Sequence, residues 1–147
     1  MSLEPCKIAL VVPEHPAESD REAVIVPLRT YNVAHGGDPK IRPLAIVLTD
    51  ERGAKRGGLW GKFSYDWLFV ELLSVPEDLR GMGLGEALMA RAEELAVEAG
   101  CIGIWLDTFE FQARGFYEKL GFAVCGQIED HPRGQCRYFM RKQLENA

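Results

Sequence analysis

Between Leu73 and Leu88 the chain reads LSVPEDLRGMGLGEAL, with Gly81, Gly83 and Gly85 alternating through the junction of two apolar runs. Glycine loses more backbone entropy on ordering than any other residue, so glycines clustered here mark backbone that must turn sharply or admit something at close range. The run before them, WLFVELLSV, is apolar almost throughout, as in a strand buried on both faces. The run after them places Leu84, Ala87, Leu88, Arg91, Ala92, Leu95, Ala96 and Ala99 at helical spacing, with Glu86, Glu93, Glu94 and Glu98 mostly off that stripe. This predicts an amphipathic helix over 85–99, stopped by Gly100.

A strand, a glycine-rich turn and a helix start, in that order, make an anion site. The free amides of the first helical turn and the positive end of the helix dipole converge on one point, and the Arg80 guanidinium adds charge-assisted hydrogen bonds. Arg80, Gly81, Met82, Gly83, Leu84 and Gly85 supply the parts, Met82 through its amide, and a phosphate or pyrophosphate is the natural guest. A P-loop is excluded, because Gly85 is followed by Glu86 and Ala87 where that motif needs Lys and Ser or Thr. A dinucleotide fingerprint fits poorly. Glu86 or Leu88 stands where its third glycine belongs, although Asp107 near the end of the next strand would suit a ribose.

The other elements follow from local pattern. KIALVV, residues 7–12, reads as a first strand ended by Pro13. Ser19 and Asp20 cap a helix through REAVIVPLRTYN, with Pro27 in its middle, and residues 33–43 read as a loop. PLAIVLT, GGLWGKFSY and WLFVELLSV are three strands in meander. Beyond the long helix, CIGIWLDTF is a fifth strand, residues 112–120 a short helix closed by Gly121, FAVCGQI a sixth strand and CRYFMRKQL a seventh, with EDHPRGQ a loop before the last. The sum is one α/β domain over residues 1–147: a mixed sheet of seven strands flanked by helices. Trp60, Trp67 and Trp105 fall in strands and are expected in the core, as are Cys101 and Cys125.

Composition narrows the function. A net charge of −5 with no basic run disfavours a nucleic-acid partner and mildly favours a cationic small substrate. The four cysteines, Cys6, Cys101, Cys125 and Cys136, form no CxxC pair, and His15, His35 and His131 are scattered, so no metal site is expected and free thiols in a reducing cytoplasm fit. Neither a leader pattern nor a run of about 18 apolar residues is present, so a membrane role is not expected.

Arg80-x-x-Gly83-x-Gly85 after a strand ending in Val75, followed downstream by Ala113-x-x-Phe116-Tyr117-Glu118-Lys119-Leu120-Gly121-Phe122, resembles the GNAT superfamily of acyl-CoA-dependent N-acetyltransferases. The likeness is densest from Trp67 to Gly126; the N-terminal part matches only as an order of elements. It implies a mostly antiparallel sheet whose fourth and fifth strands splay apart, with the turn and Arg80 holding the pyrophosphate of acetyl-CoA. The pantetheine arm would lie along Leu73, Ser74 and Val75 and beside Phe116. The acetyl group would then pass directly to a primary amine in a ternary complex.

In that family a tyrosine lies beside the sulfur, which makes Tyr117 the acid for the leaving thiolate. Glu71 is the only ionisable residue in WLFVELLSV, so it is either the base that accepts the amine's proton or a residue alternation turns to solvent. Glu110 replaces an asparagine common three residues before the alanine of this motif; it would touch cofactor or acceptor, or be an ordinary loop residue. Glu129 and His131, with Asp130, lie on the last loop, where acceptor pockets of this family receive residues. The acceptor is left open between a small molecule and a peptide, lysine side chains and N-termini included. A module that holds coenzyme A or another nucleotide as a sensor without turnover is the competing class, and apolar strand edges near the C-terminus allow a homodimer.

Overall fold

The computed structural model describes residues 7–145, so Cys6 lies outside it. These residues divide into two compact units that meet at Asp38 and Pro39. The first holds helix α1, Glu18–Gly36. Its start is braced from within the first turn, where the Asp20 carboxylate accepts a hydrogen bond from the Ala17 N–H at 2.8 Å. The helix runs through Pro27, since the ring removes one backbone bond while the turns on either side keep theirs, and it takes in residues expected to be loop.

The second unit is a six-stranded sheet with two helices. Its strands are β1 (Arg42–Thr49), β2 (Lys55–Ser64), β3 (Trp67–Ser74), β4 (Gly103–Phe109), β5 (Ala123–Ile128) and β6 (Arg137–Gln143); its helices are α2 (Leu84–Glu98) and α3 (Arg114–Lys119). The order across the sheet is β1-β2-β3-β4-β6-β5, and only β3 and β4 run parallel, joined by the α2 crossover. The first expected strand, KIALVV, takes no regular structure, which leaves six of the seven: β-branched composition favours extended backbone, but a strand also needs a neighbour's ladder.

One face of the sheet forms the core. Leu59, Phe63, Leu68, Val70, Ile104, Leu106, Tyr138 and Met140 meet Leu88, Met89, Ala92 and Ala96 of α2, and Tyr117 of α3 joins them. Met89 is buried and Ala87 exposed, so the apolar stripe of α2 is turned slightly from the predicted one. Alternation puts the tryptophans on the other face: Trp60 and Trp105 are exposed and Trp67 half-buried, against the expectation of core positions. Trp105 instead stacks on Phe69, its β3 partner, at 4.0 Å between centroids. Cys101 is buried as expected, just before β4, whereas Cys125 is exposed on the edge strand β5, its thiol donating to the Phe139 carbonyl.

Candidate active site

The two parallel strands stay together briefly. Pairing runs from Trp67 with Gly103 to Val70 with Leu106 and then stops, although β3 continues to Ser74 and β4 to Phe109. The cause lies on the other edge of β3. Gly61 pairs with Val70 and Trp60 with Leu72, so Glu71 is an extra residue, a bulge that bends the strand. Gly61 lets the strands close up there, since a side chain would run into the Phe69 carbonyl. From Glu71 to Val75 the β4-facing edge of the strand is therefore unpaired, and a cleft of about 1080 Å³ opens beside it.

The glycine turn lies at one end of that cleft. Gly81 and Gly83 have φ of 81° and 74°, left-handed values that favour glycine, and a Cβ at either would meet nothing within 4 Å. Gly83 is the N-cap of α2, and no side chain caps that end, so the first-turn amides are free for a ligand. Arg80 is drawn over the turn by a hydrogen bond from its Nε to the Val75 carbonyl at 3.2 Å. A hollow of about 350 Å³ above the turn shares Val75, Arg80, Gly85 and Phe116 with the cleft, making one path from helix start to strand fork.

Tyr117 sits where this path meets the core. It is 8% exposed, lines the cleft, and packs edge-on between Phe116 and Phe122. Burial, and secondarily the charge of Asp107, pushes its phenol above the usual tyrosine value. It therefore holds its proton through neutral pH, as an acid for a thiolate requires. The preceding turn is fixed by Gln112, whose Oε1 accepts a hydrogen bond from Phe109 N–H at 2.8 Å and approaches the buried Thr108 hydroxyl at 3.3 Å.

Comparison with known proteins agrees with this geometry. The model of the acetyltransferase (GNAT) family matches residues 13–122. The chain belongs to the GNAT family. Blasticidin-S acetyltransferase of Streptomyces morookaense is 44% identical over 107 residues, 70% of this chain and 79% of that protein. An acetyltransferase of Agrobacterium fabrum is 37% identical over 128 residues, 87% of this chain and 93% of its own length. The crystal structure of an Agrobacterium tumefaciens protein superposes with a TM-score of 0.88 at 34% identity, covering 93% of this chain and all of that one. This GNAT protein is thus an acyltransferase with the α/β fold of the family.

Most of the residues singled out in the sequence come together in the cleft and hollow. Glu71, Leu73, Ser74, Val75, Arg80, Gly85, Phe116 and Tyr117 line the cleft, and Gly81, Gly83 and Leu84 line the adjoining hollow. Met82 lines neither and is 67% exposed. Glu110 is elsewhere: its Oε2 accepts from Cys136 N–H at 2.7 Å and its own N–H donates to the Cys136 carbonyl, tying the β4 end to the start of β6. Glu129 is exposed away from the cleft lining. His131 reaches the site only through Phe109, packing edge-on against that ring at 5.4 Å. Asp107, Phe109, Phe111, Gln112 and Arg137 line the cleft without having been singled out as GNAT site residues. Alternation along IWLDTF turns Trp105, Asp107 and Phe109 to one face, which was the available signal for two of them.

None of Cys101, Cys125 and Cys136 lines the cleft, and burial raises the Cys101 thiol, which disfavours its thiolate. Among the described residues no group of three His, Cys, Asp or Glu is arranged to hold a metal, and no helix is long and apolar enough to cross a membrane.

Proposed function

We infer that this GNAT protein transfers the acetyl group of acetyl-CoA directly to a primary amine of a small, positively charged molecule. The observation that carries the reading is the continuity of the uncapped glycine turn with the fork between β3 and β4, with Tyr117 on the path between them. The pyrophosphate would take the free amides of Leu84 and Gly85 and the Arg80 guanidinium. The pantetheine would add to the open edge of β3 at Leu73 to Val75 as an extra strand. That arrangement brings the thioester to the fork, where a main-chain N–H can polarise its carbonyl.

Glu71 or a water beside it takes one proton from the ammonium, the neutral amine nitrogen attacks the thioester carbon, the C–S bond breaks as Tyr117 protonates the departing sulfur, and the second proton that nitrogen sheds as the amide forms returns through water to the phenolate. An alkylamine is mostly protonated at neutral pH, with a pKa near 10.4, so a proton acceptor is required. The likeness to a blasticidin-S acetyltransferase makes blasticidin S the first acceptor to try. Reduced thiols and direct transfer suit a cytoplasmic enzyme.

Thiol release from acetyl-CoA tests the reading, with blasticidin S, putrescine, aminoglycosides, amino acids and lysine peptides as acceptors. Amine-dependent release with a small cation is expected. Release with lysine peptides alone would move the acceptor to proteins, and tight coenzyme A binding with no release on any amine would replace the enzyme by a sensor.

A further inference from the structure

The transfer steps above leave one cleft carboxylate without a role. Asp107 is the first β4 residue past the last β3–β4 pair, as Glu71 is the first on β3, so both stand at the mouth of the fork. Glu71 is exposed, whereas the Asp107 side chain is only 16% exposed. Arg137 of β6 grips it diagonally across the ladder, where Asp107 pairs with Phe139 and Phe109 with Arg137. The grip is one-sided: Nε at 2.9 Å and Nη2 at 2.7 Å both contact Oδ1. Arg137 is held in turn, its guanidinium 5.4 Å from the ring centroids of both Phe109 and Phe139. Both contacts fall on Oδ1 and no protein donor reaches Oδ2; because no buried polar side-chain atom among the described residues lacks a partner, Oδ2 is open to the solvent of the cleft, where a ligand can take its lone pairs.

We propose that Asp107 is the acceptor-binding residue of this site. Its Oδ2 accepts a hydrogen bond from the ammonium group of the incoming amine, and Arg137 is the positioning residue that fixes the carboxylate at the fork. This rests on the acetyl transfer proposed above and names what selects the acceptor. Proton removal stays with Glu71 or water, because Asp107 is already bound on one oxygen and has only the other to hold the substrate in line with the thioester. Charge placement agrees. The other cleft-lining arginine, Arg80, lies at the cofactor end, so the group left unpaired at the fork is the Glu71 carboxylate. A cation is drawn to that end and an anionic amine is repelled.

The test compares wild type, Asp107→Asn, Arg137→Gln and the double variant, measuring kcat and KM for blasticidin S and for phosphoethanolamine, an amine carrying a negative group. Coenzyme A affinity on each sample reports whether the cofactor end is intact, and Asp107→Ser serves where the Asn variant does not retain it. The best amine of the acceptor panel replaces blasticidin S where wild type does not use that compound. Asp107→Asn is expected to raise KM for the cation by about tenfold or more while leaving coenzyme A affinity within about twofold, since the lost bond is to a charged donor. Arg137→Gln raises KM less, because the carboxylate remains. The double variant stays as weak as Asp107→Asn, and phosphoethanolamine is a poor acceptor throughout.

Active wild type with an unchanged KM in Asp107→Asn overturns the assignment while leaving acetyl transfer standing. A double variant that recovers the wild-type KM overturns it too, since the loss then came from stranding Arg137. Wild type that releases no thiol with any amine removes the transfer reading and this inference with it.

Discussion

Replacing Gly83 by alanine isolates what the glycine turn demands. At φ 74° and ψ 16° the residue is left-handed, and the space where a Cβ would stand is empty to 4 Å, so the substitution meets no clash and its whole effect is conformational. A left-handed L-residue costs roughly 1–2 kcal/mol. The protein can bear that strain or relieve it. If it keeps the turn, the melting temperature falls by roughly 2–8 °C, at about 2–4 °C per kcal/mol for a chain near this size. If it relaxes, the amides of Leu84 and Gly85 rotate off their common point and coenzyme A affinity falls, by at most about thirtyfold for the same energy. Calorimetric melting and calorimetric titration with coenzyme A, done together, should recover the full cost between them. Gly83→Asn is the control, since asparagine tolerates this region, and should lose less on both counts. Gly115→Ala is the opposite control: it lies in α3 with negative φ and open space, and should stabilise by about 0.5–1 kcal/mol. A Gly83→Ala protein matching wild type in both measurements would refute the reasoning.

Tyr117→Phe should lower kcat by about 10²–10⁴ at unchanged coenzyme A affinity, and equal turnover would remove the hydroxyl from the chemistry. Because the Tyr117 pKa is raised in the fold, its contribution to stability is complete below the unfolded value near 10 and is lost as pH rises towards the folded value; Tyr117→Phe should blunt that alkaline loss in unfolding measured against pH. Arg80→Ala should weaken coenzyme A binding by about tenfold or more, read by titration calorimetry, through the loss of charge-assisted bonds. Leu68→Ala, at a fully buried position on β3, should lower unfolding stability by about 2–5 kcal/mol in a urea titration while the folded protein keeps its coenzyme A affinity.

What could be read in advance, and what could not, separates along a physical line. The turn from Arg80 to Gly85 was legible because a left-handed N-cap and bare amides leave glycines behind at fixed offsets. Tyr117 was legible through its motif, and α2 through its period, to within one residue at each end. KIALVV misled because strand composition records only half of what a strand requires. The tryptophans misled because size was read as burial, whereas alternation alone decides which face a strand residue takes, and Trp60 and Trp105 alternate outward. Glu110 misled for a related reason: it was placed by its distance from Ala113, but its partner is the backbone of Cys136, 26 residues away, and no local pattern encodes that bond. Arg137 is hidden in the same manner, reaching Asp107 across a spacing of 30 residues.

The bulge at Glu71 gives these features a common origin. One extra residue ends the one parallel pairing among the described strands, and on the reading proposed above the opening would serve two purposes at once. Towards the core face it bares the β3 edge and leads to the turn of α2, and the groups there are mostly backbone amides and carbonyls. A cofactor read there by backbone, as proposed above, would tolerate side-chain change, and few side chains besides Arg80 and Tyr117 would then mark that half in the sequence. Towards the open face it leaves Glu71 and Asp107 at the fork beside Phe109, Phe111 and Arg137, and there the groups are side chains. Recognition by side chains can change one residue at a time without disturbing the β3 edge. It follows that substitutions at Asp107, Phe109, Phe111 and Arg137 should redirect acceptor choice while coenzyme A affinity holds, and that moving the bulge itself, by changing Gly61 or Glu71 together with its neighbours, should damage both halves together.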